Sequence, residues 1–280
     1  MNIRIIADSG SDLSGKESKY LKIIPLKITF GDTQYQDGVT LSHEEFYSKL
    51  VESDELPKTS QVPPFDFEKA IQEALDAGET PIVITIASQL SGTYNSARIA
   101  ASEFDEKVYV VDSENVAMGE KILVQYALQM IEEGLDAETI VAELENSKKK
   151  ICLAALLDTL EYLQKGGRVS NVVGFVGGVL SIKPVVTIKE GEIVMLGKAR
   201  GSKNGNKMLT QQIEAVGGID FTKPYALGYS GLEDDLLQKY IADNEEIWVK
   251  QGEELPIGTI GGTIGTHAGP GAFGYAFFAK

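Results

Sequence analysis

Five segments of the chain are nearly unbroken apolar runs: 2–8 (NIRIIAD), 22–30 (KIIPLKITF), 81–87 (PIVITIA), 107–113 (KVYVVDS) and 151–157 (ICLAALL). A strand with one wet face alternates polar and apolar residues. These runs do not, so they predict strands covered on both faces, as in a parallel sheet with crossover helices on either side. Helix signals lie between them. Ser42 to Glu45 (SHEE) has the spacing of a capping box. Residues 63–78 (PPFDFEKAIQEALDAG) start at proline, stop at glycine and place Phe67, Ile71, Ala74 and Leu75 on one face. Two more amphipathic stretches, 115–133 and 136–150, are separated by Gly134. Strand and helix thus alternate through residues 1–157, which predicts a first domain of three-layer α/β/α architecture with a mainly parallel sheet.

From residue 158 onward glycine becomes frequent and the pattern changes. A hairpin is predicted over 183–200, turning at Glu190 and Gly191, followed by helix, strand, helix and strand. A Gly-rich loop, IGTIGGTIGTHAGPGAFG, then enters the apolar run YAFFA. The expectation for 158–280 is a second α/β domain of two layers with a mixed sheet. Length supports the division, since 280 residues exceed what one core of average size usually organises.

Composition removes several functions from consideration. Acidic residues outnumber basic ones 41 to 26, a formal net charge of −15, with no dense Lys/Arg face. Nucleic acid is therefore not an expected partner. Lasting adhesion to an anionic membrane is disfavoured for the same reason, although transient contact is not. Cys152 is the only cysteine, so no intrachain disulfide or cysteine metal cluster is available, which suits a reducing cytoplasm. The N-terminal apolar stretch is too short for a signal-peptide core. The most apolar long window, 169–188, is interrupted by Ser170, Asn171, Ser181 and Lys183, which argues against a membrane span. The sequence reads as that of a soluble cytoplasmic protein.

Candidate chemistry gathers at turns. In 88–97 (SQLSGTYNSA), Gly92 permits close backbone approach, Ser91 and Thr93 supply hydroxyls, and the predicted helix beyond adds the partial positive charge of its N-terminus. Such a turn is either an anion site or an ordinary helix cap. Thr59 and Ser60, in LPKTSQVPP, lie where a loop enters a helix and offer two further donors, or a cap. His267, in GTHAGPG, sits in a Gly-rich loop, suited to donate to a carboxylate or to act as a general base. GPGAFG at 269–274 has G-x-G-x-x-G spacing but lacks the following helix and the acidic residue about twenty positions on. GSKNGNK at 201–207 lacks P-loop spacing, so neither stretch supplies a nucleotide site. Asp8 and Asp12, in DSGSD, fit strand-end capping better than a calcium loop. Arg168 and Arg200 sit beside glycines and suit an acidic ligand or a partner surface, or are simply solvated charge. Zinc and α/β-hydrolase motifs are absent, so a Ser91 and His267 dyad has no acidic orienter that the sequence identifies.

In order along the chain, DSGSD, KTSQVPP, SQLSGTYNSA, LEYLQKGGRVS, IKPVVTI and GTHAGPGAFG resemble the motif series of the DegV family of bacterial fatty-acid-binding proteins, over nearly the whole length. The resemblance implies two α/β domains with a long-chain fatty acid between them, its tail buried and its carboxylate met by Thr59, Ser91 and His267. Ser60, Gly92 and Thr93 would lie close by. It also implies a carrier with no turnover, metal or cofactor of its own, which presents the carboxylate to a separate fatty acid kinase subunit for acyl phosphate formation and phospholipid synthesis. Arg168 and Arg200 would then flank the head-group opening and help that subunit dock. The competing expectation is an acyl hydrolase or transferase with Ser91 as nucleophile and His267 as base.

Overall fold

The structure, a computed structural model, describes residues 2–53, 55–169, 182–249 and 254–280. Most of the apolar window 169–188, with its interrupting Ser170, Asn171 and Ser181, lies outside the described residues. No helix among the described residues is long and apolar enough to cross a membrane.

Along the chain, β1 (Ile3–Asp8) is followed by β2 (Leu21–Ile24), β3 (Lys27–Phe30), β4 (Thr33–Gln36), α1 (His43–Glu52) and β5 (Lys58–Ser60). Next come α2 (Pro64–Asp76), β6 (Thr80–Thr85), α3 (Thr93–Ala101), β7 (Tyr109–Asp112), α4 (Met118–Glu132) and α5 (Ala137–Ser147). Then follow β8 (Ile151–Leu156), α6 (Glu161–Lys165), β9 (Ile182–Lys189), β10 (Glu192–Arg200), α7 (Gly201–Ala215) and β11 (Tyr225–Tyr229). The remaining elements are α8 (Asp235–Ala242), α9 (Glu245–Trp248), β12 (Ile257–Thr259), α10 (Gly262–Ala268) and β13 (Phe273–Phe278).

The expected parallel sheet forms, in the spatial order β2-β1-β6-β7. Alternate residues serve its two faces: Ile5, Ile82 and Ile84 pack towards α4 and α5, while Ile6 and Val83 pack towards α2 and α3. With neither face wet, no polar alternation is needed, which is why these strands read as continuous apolar runs. The capping box closes as expected: Glu45 N donates to Ser42 Oγ (3.2 Å) and Ser42 N to Glu45 Oε2 (2.9 Å).

The run 22–30 divides in two. Pro25 has no N–H with which to continue a ladder, and beyond it Leu26 N turns to Ser9 Oγ (3.0 Å). β3 then joins β4 and β5 in a small antiparallel sheet backed by α1.

A second departure concerns β8. Instead of extending the parallel sheet, it lies within a mixed sheet of order β10-β9-β8-β13-β11-β12, antiparallel to both neighbours. Its unbroken apolar run does reflect cover on both faces, but the cover is α7 on one side and α4 on the other. The outer face of this sheet carries α7, α8 and α9. α4 is shared: it packs on β1 and β6 of the parallel sheet and on β8, β11 and β13 of the mixed one, so one core runs through both. The hairpin β9–β10 turns at Glu190 (φ 51°) and Gly191 (φ 80°), the two consecutive positive φ angles of a type I′ turn.

The centre of the mixed sheet is tight. A Cβ on Gly274 of β13 would press into the Ala154 carbonyl oxygen and lie 2.8 Å from Ala155 Cα, both backbone of β8. Backbone cannot swing aside as a side-chain end can. Gly274→Ala is therefore expected to cost about 1–3 kcal/mol, read as a lower urea midpoint; an unchanged midpoint would show that the pairing is looser than it looks.

Candidate functional site

Between the loops that follow β6 and β7 of the parallel sheet and the inner face of the mixed sheet lies a cavity with about 970 Å³ of empty space, its open mouth included. The walls are apolar, built by Leu153 and Ala155 of β8, Val186 and Ile188 of β9, Ile86 and Met118. Most of the polar groups gather in one place, Thr59, Ser60, Gln61, Ser91, Arg168 and His267, while Ser230 and Thr263 also belong to the lining. At another part of the wall Gly228 lets Met118 and Ile260 close in, since a Cβ there would stand 2.7 Å from Met118 Sδ and 2.9 Å from Ile260 Cδ1.

His267 is not in a loop. The segment GTIGTHA folds as α10 in spite of three poor helix formers, Gly262, Gly265 and Thr263, because tertiary contacts hold it. At its start Gly261 N donates to Asp12 Oδ1 (2.8 Å), Gly262 N to Asp37 Oδ1 (3.1 Å) and Thr263 N to Asp37 Oδ2 (3.1 Å). These carboxylates satisfy N–H groups that a helix start leaves unpaired. On its flank Gly265 admits the rings of α1, where a Cβ would lie 2.6 Å from Tyr47 Oη and 2.7 Å from Phe46 Cε1. At its far end the imidazole of His267 lies against Gly166, where a Cβ would collide with Nδ1.

Thr59 is in the edge strand β5 rather than a loop, and its Oγ1 is 2.9 Å from His267 Nε2. Burial, helped by the Arg168 guanidinium, lowers the His267 pKa to about 4, so the ring is neutral at physiological pH. In the Nε2–H tautomer the ring donates to Thr59 and leaves the threonine proton for the cavity.

A similar chain of bonds positions Ser91. Thr93 N donates to Ser91 Oγ (3.3 Å), Val62 N donates to Thr93 Oγ1 (3.4 Å), and the Ser91 and Thr93 hydroxyls are 2.9 Å apart. Either hydroxyl can donate to the other; donation from Thr93, which is fully buried and outside the lining, is the arrangement that strands no hydroxyl proton in the interior. The Ser91 proton is then the one left to point into the cavity. Ser91 so placed is a donor with its lone pairs engaged, a poor nucleophile, and among the described residues its hydroxyl partner is Thr93 while that of His267 is Thr59.

Gly92 and Thr93 do not line the cavity. Gly92 is the exposed N-cap of α3 and makes room for Gln61, whose carboxamide any side chain there would strike. Gln61 Nε2 in turn donates to the buried Ser96 Oγ (2.9 Å) and ties the β5–α2 loop to the first turn of α3. Arg168 donates from Nε to Leu90 O (3.2 Å) and from Nη1 to Gly166 O (2.6 Å), which brings its charge to the polar end. Arg200 is exposed at the end of β10 and takes no part in the lining. Gln61 and Gly166 lie within motifs that the sequence singles out, KTSQVPP and LEYLQKGGRVS, but a residue that acts by packing carries no local signature of its own.

Beneath the start of α10 lies a group of carboxyls. Asp8, Asp37 and Glu120 are buried, and Asp12 buries one oxygen. Asp8 does cap the strand end, accepting from Gly10 N (2.8 Å) and Ile86 N (2.9 Å), yet burial still raises its pKa to about 7. Burial also drives Asp12 and Glu120 well above the carboxylate range, reinforced by neighbouring acids. Neither Glu120 oxygen has a hydrogen-bond partner among the described residues. These residues are not arranged as a metal cluster.

The profile of the family described as "Uncharacterised protein, DegV family" matches residues 2–280. A DegV domain-containing protein of Caldanaerobacter subterraneus subsp. tengcongensis is 33% identical over 282 residues, covering 99% of each chain. Among solved structures, the chain is similar to a fatty-acid-binding DegV family protein from Thermus thermophilus (30% identity, TM-score 0.89, 100% of both chains). It is also similar to a stearic acid-binding protein from Eubacterium ventriosum (26% identity, TM-score 0.87, 99% of this chain and 98% of that one). The match runs from one end of the chain to the other: the chain belongs to the DegV family.

Proposed function

We propose that the cavity holds a long-chain fatty acid, its carboxylate at Thr59, Ser91 and His267 and its tail along the apolar walls. The observation that carries this reading is the uneven lining, with hydroxyl donors and one guanidinium clustered at one end of a mainly apolar space. Burying a tail of about 15 methylenes is worth on the order of 12 kcal/mol at roughly 0.8 kcal/mol each, against an association cost of several kcal/mol. The tail supplies affinity and the donors decide which end stops where. A carboxylate leaving water needs several donors or it protonates; two hydroxyls primed by their neighbours meet that need, with Arg168 adding charge. Ser60 and Gln61 complete the rim, and Gly92 and Thr93 act from behind it.

The protein then serves as a cytoplasmic carrier rather than an enzyme. GSKNGNK lacks P-loop spacing, and GPGAFG, although spaced as G-x-G-x-x-G, runs into strand β13 instead of a helix. Phosphorylation of the carboxylate for phospholipid synthesis accordingly falls to a separate kinase subunit. Arg200, exposed and free of the lining, suits a docking contact with that subunit better than Arg168, whose bonds commit it to the head group. Loading involves at most transient membrane contact.

Native mass spectrometry of the purified chain is expected to find a bound mass in the fatty-acyl range. Repeated absence of lipid after incubation with oleate or palmitate would overturn the reading. Labelling of Ser91 by a fluorophosphonate would favour an acyl hydrolase or transferase in its place.

A further inference from the structure

We infer that Gly166 is the positioning residue of the polar end of the cavity: its missing side chain seats the His267 ring, its carbonyl holds the Arg168 guanidinium, and through both it sets the preference for an anionic over a neutral head group. The inference rests on the fatty-acid reading above. Gly166 ends α6 with φ −75° and ψ −9°, angles that any residue adopts. Its neighbour Gly167 differs: φ there is +70°, and a Cβ would meet nothing within 4 Å. The turn therefore accounts for the second glycine and not for the first. What accounts for Gly166 is contact. A Cβ there would collide with His267 Nδ1, and would lie 2.9 Å from Cε1 and 3.0 Å from the Tyr162 carbonyl oxygen. Any side chain at 166 has to displace the ring, whose other nitrogen is the one that bonds Thr59.

The same seat selects the tautomer. His267 Nδ1 is sealed against Gly166 and has no partner among the described residues. A proton on Nδ1 would be a buried donor without an acceptor, whereas a proton on Nε2 meets Thr59 Oγ1 at 2.9 Å. Only in the second case is the threonine proton left for a carboxylate. The Gly166 carbonyl oxygen accepts from Arg168 Nη1 (2.6 Å), and that guanidinium adds to burial in keeping the ring neutral. α6 is brought here by Leu160 and Leu163, which are buried beside Ala268 of α10. One backbone position thus registers a ring from near the C-terminus and a guanidinium from the middle of the chain.

The test is displacement of a fluorescent fatty acid by hexadecanoate and by hexadecanol, in the parent, Gly166→Ala, His267→Ala and the double variant. Gly166→Ala is expected to weaken hexadecanoate about tenfold, since a bond to the charged head group is lost, and hexadecanol far less. In this variant His267, driven from its seat, should titrate nearer the ordinary 6.5 than about 4, followed by NMR of its ring protons. With His267→Ala already in place, adding Gly166→Ala should cost little more, because the ring that a Cβ would strike is gone. Equal losses for acid and alcohol, an unchanged affinity for the acid, or a loss that persists in full without the ring each overturn the inference while leaving fatty-acid binding in place. If Gly166→Ala alone fails to fold, a folded double variant carries the same conclusion and an unfolded one overturns it. Failure of hexadecanoate to displace the probe from the parent overturns both readings.

Discussion

On acidification from about pH 8 to about pH 5.5 the protein is expected to gain stability, and Glu120→Gln is expected to be more stable than the parent at the alkaline end. A carboxyl whose pKa is raised by folding binds a proton that the unfolded chain has released. Its contribution is complete below the unfolded value and is lost as pH rises through the folded one. For Asp8 those values are 3.8 and about 7, so the loss spans the neutral range. Burial shifts Asp12 and Glu120 in the same sense. His267 works in opposition: its pKa falls from 6.5 to about 4, so the stability it contributes above 6.5 is lost as pH drops. Over this interval the single histidine costs about 1.4 kcal/mol, one pH unit's worth, while Asp8 alone returns about 2 kcal/mol and the other two acids add to it. The expected net is a rise of several degrees in melting temperature. Glu120→Gln removes one charge from among Asp8, Asp12 and Asp112 and should flatten that slope. A melting temperature that falls on acidification, or an unchanged slope in the variant, would count against a buried acid cluster.

The second large effect concerns the head group. A hydrogen bond to a charged acceptor is worth about 1.5–3 kcal/mol, so Ser91→Ala and Thr59→Val should each weaken binding of a fatty-acid anion about ten- to hundredfold. Binding of a fatty alcohol of equal length should change far less, because it carries no charge to stabilise. The double variant should fall short of the sum, since both donors serve one carboxylate. Fluorescent-lipid displacement by acid and alcohol in parallel measures this. Equal losses for both ligands would point to a distorted cavity instead of a lost anion site.

How legible this was in sequence differs by element. The parallel strands announced themselves because helices cover both of their faces. The same cue misplaced β8, since an apolar run records burial and not the identity of the neighbouring strand. α10 was invisible as a helix: its glycines read as loop, and what makes it helical is Asp12, Asp37, Phe46 and Tyr47, all more than two hundred residues away in sequence. Ser91, Thr59 and His267 stood out as hydroxyls and a histidine at chain turns. The contacts that set them, Val62 and Thr93 bonding around Ser91, His267 bonding to Thr59 and Gly166 packing against the imidazole, exist only after folding.

The placement of β13 has a bearing on synthesis. It inserts between β8 and β11, strands that leave the ribosome well before it. Until residues 273–278 emerge, each of those strands offers an unpaired apolar edge to other nascent chains. β13 also follows directly on the segment that carries His267. Closure of the sheet and completion of the anion site are therefore nearly simultaneous events, and a chain still under translation has no means of taking up a ligand before its exposed edges are sealed.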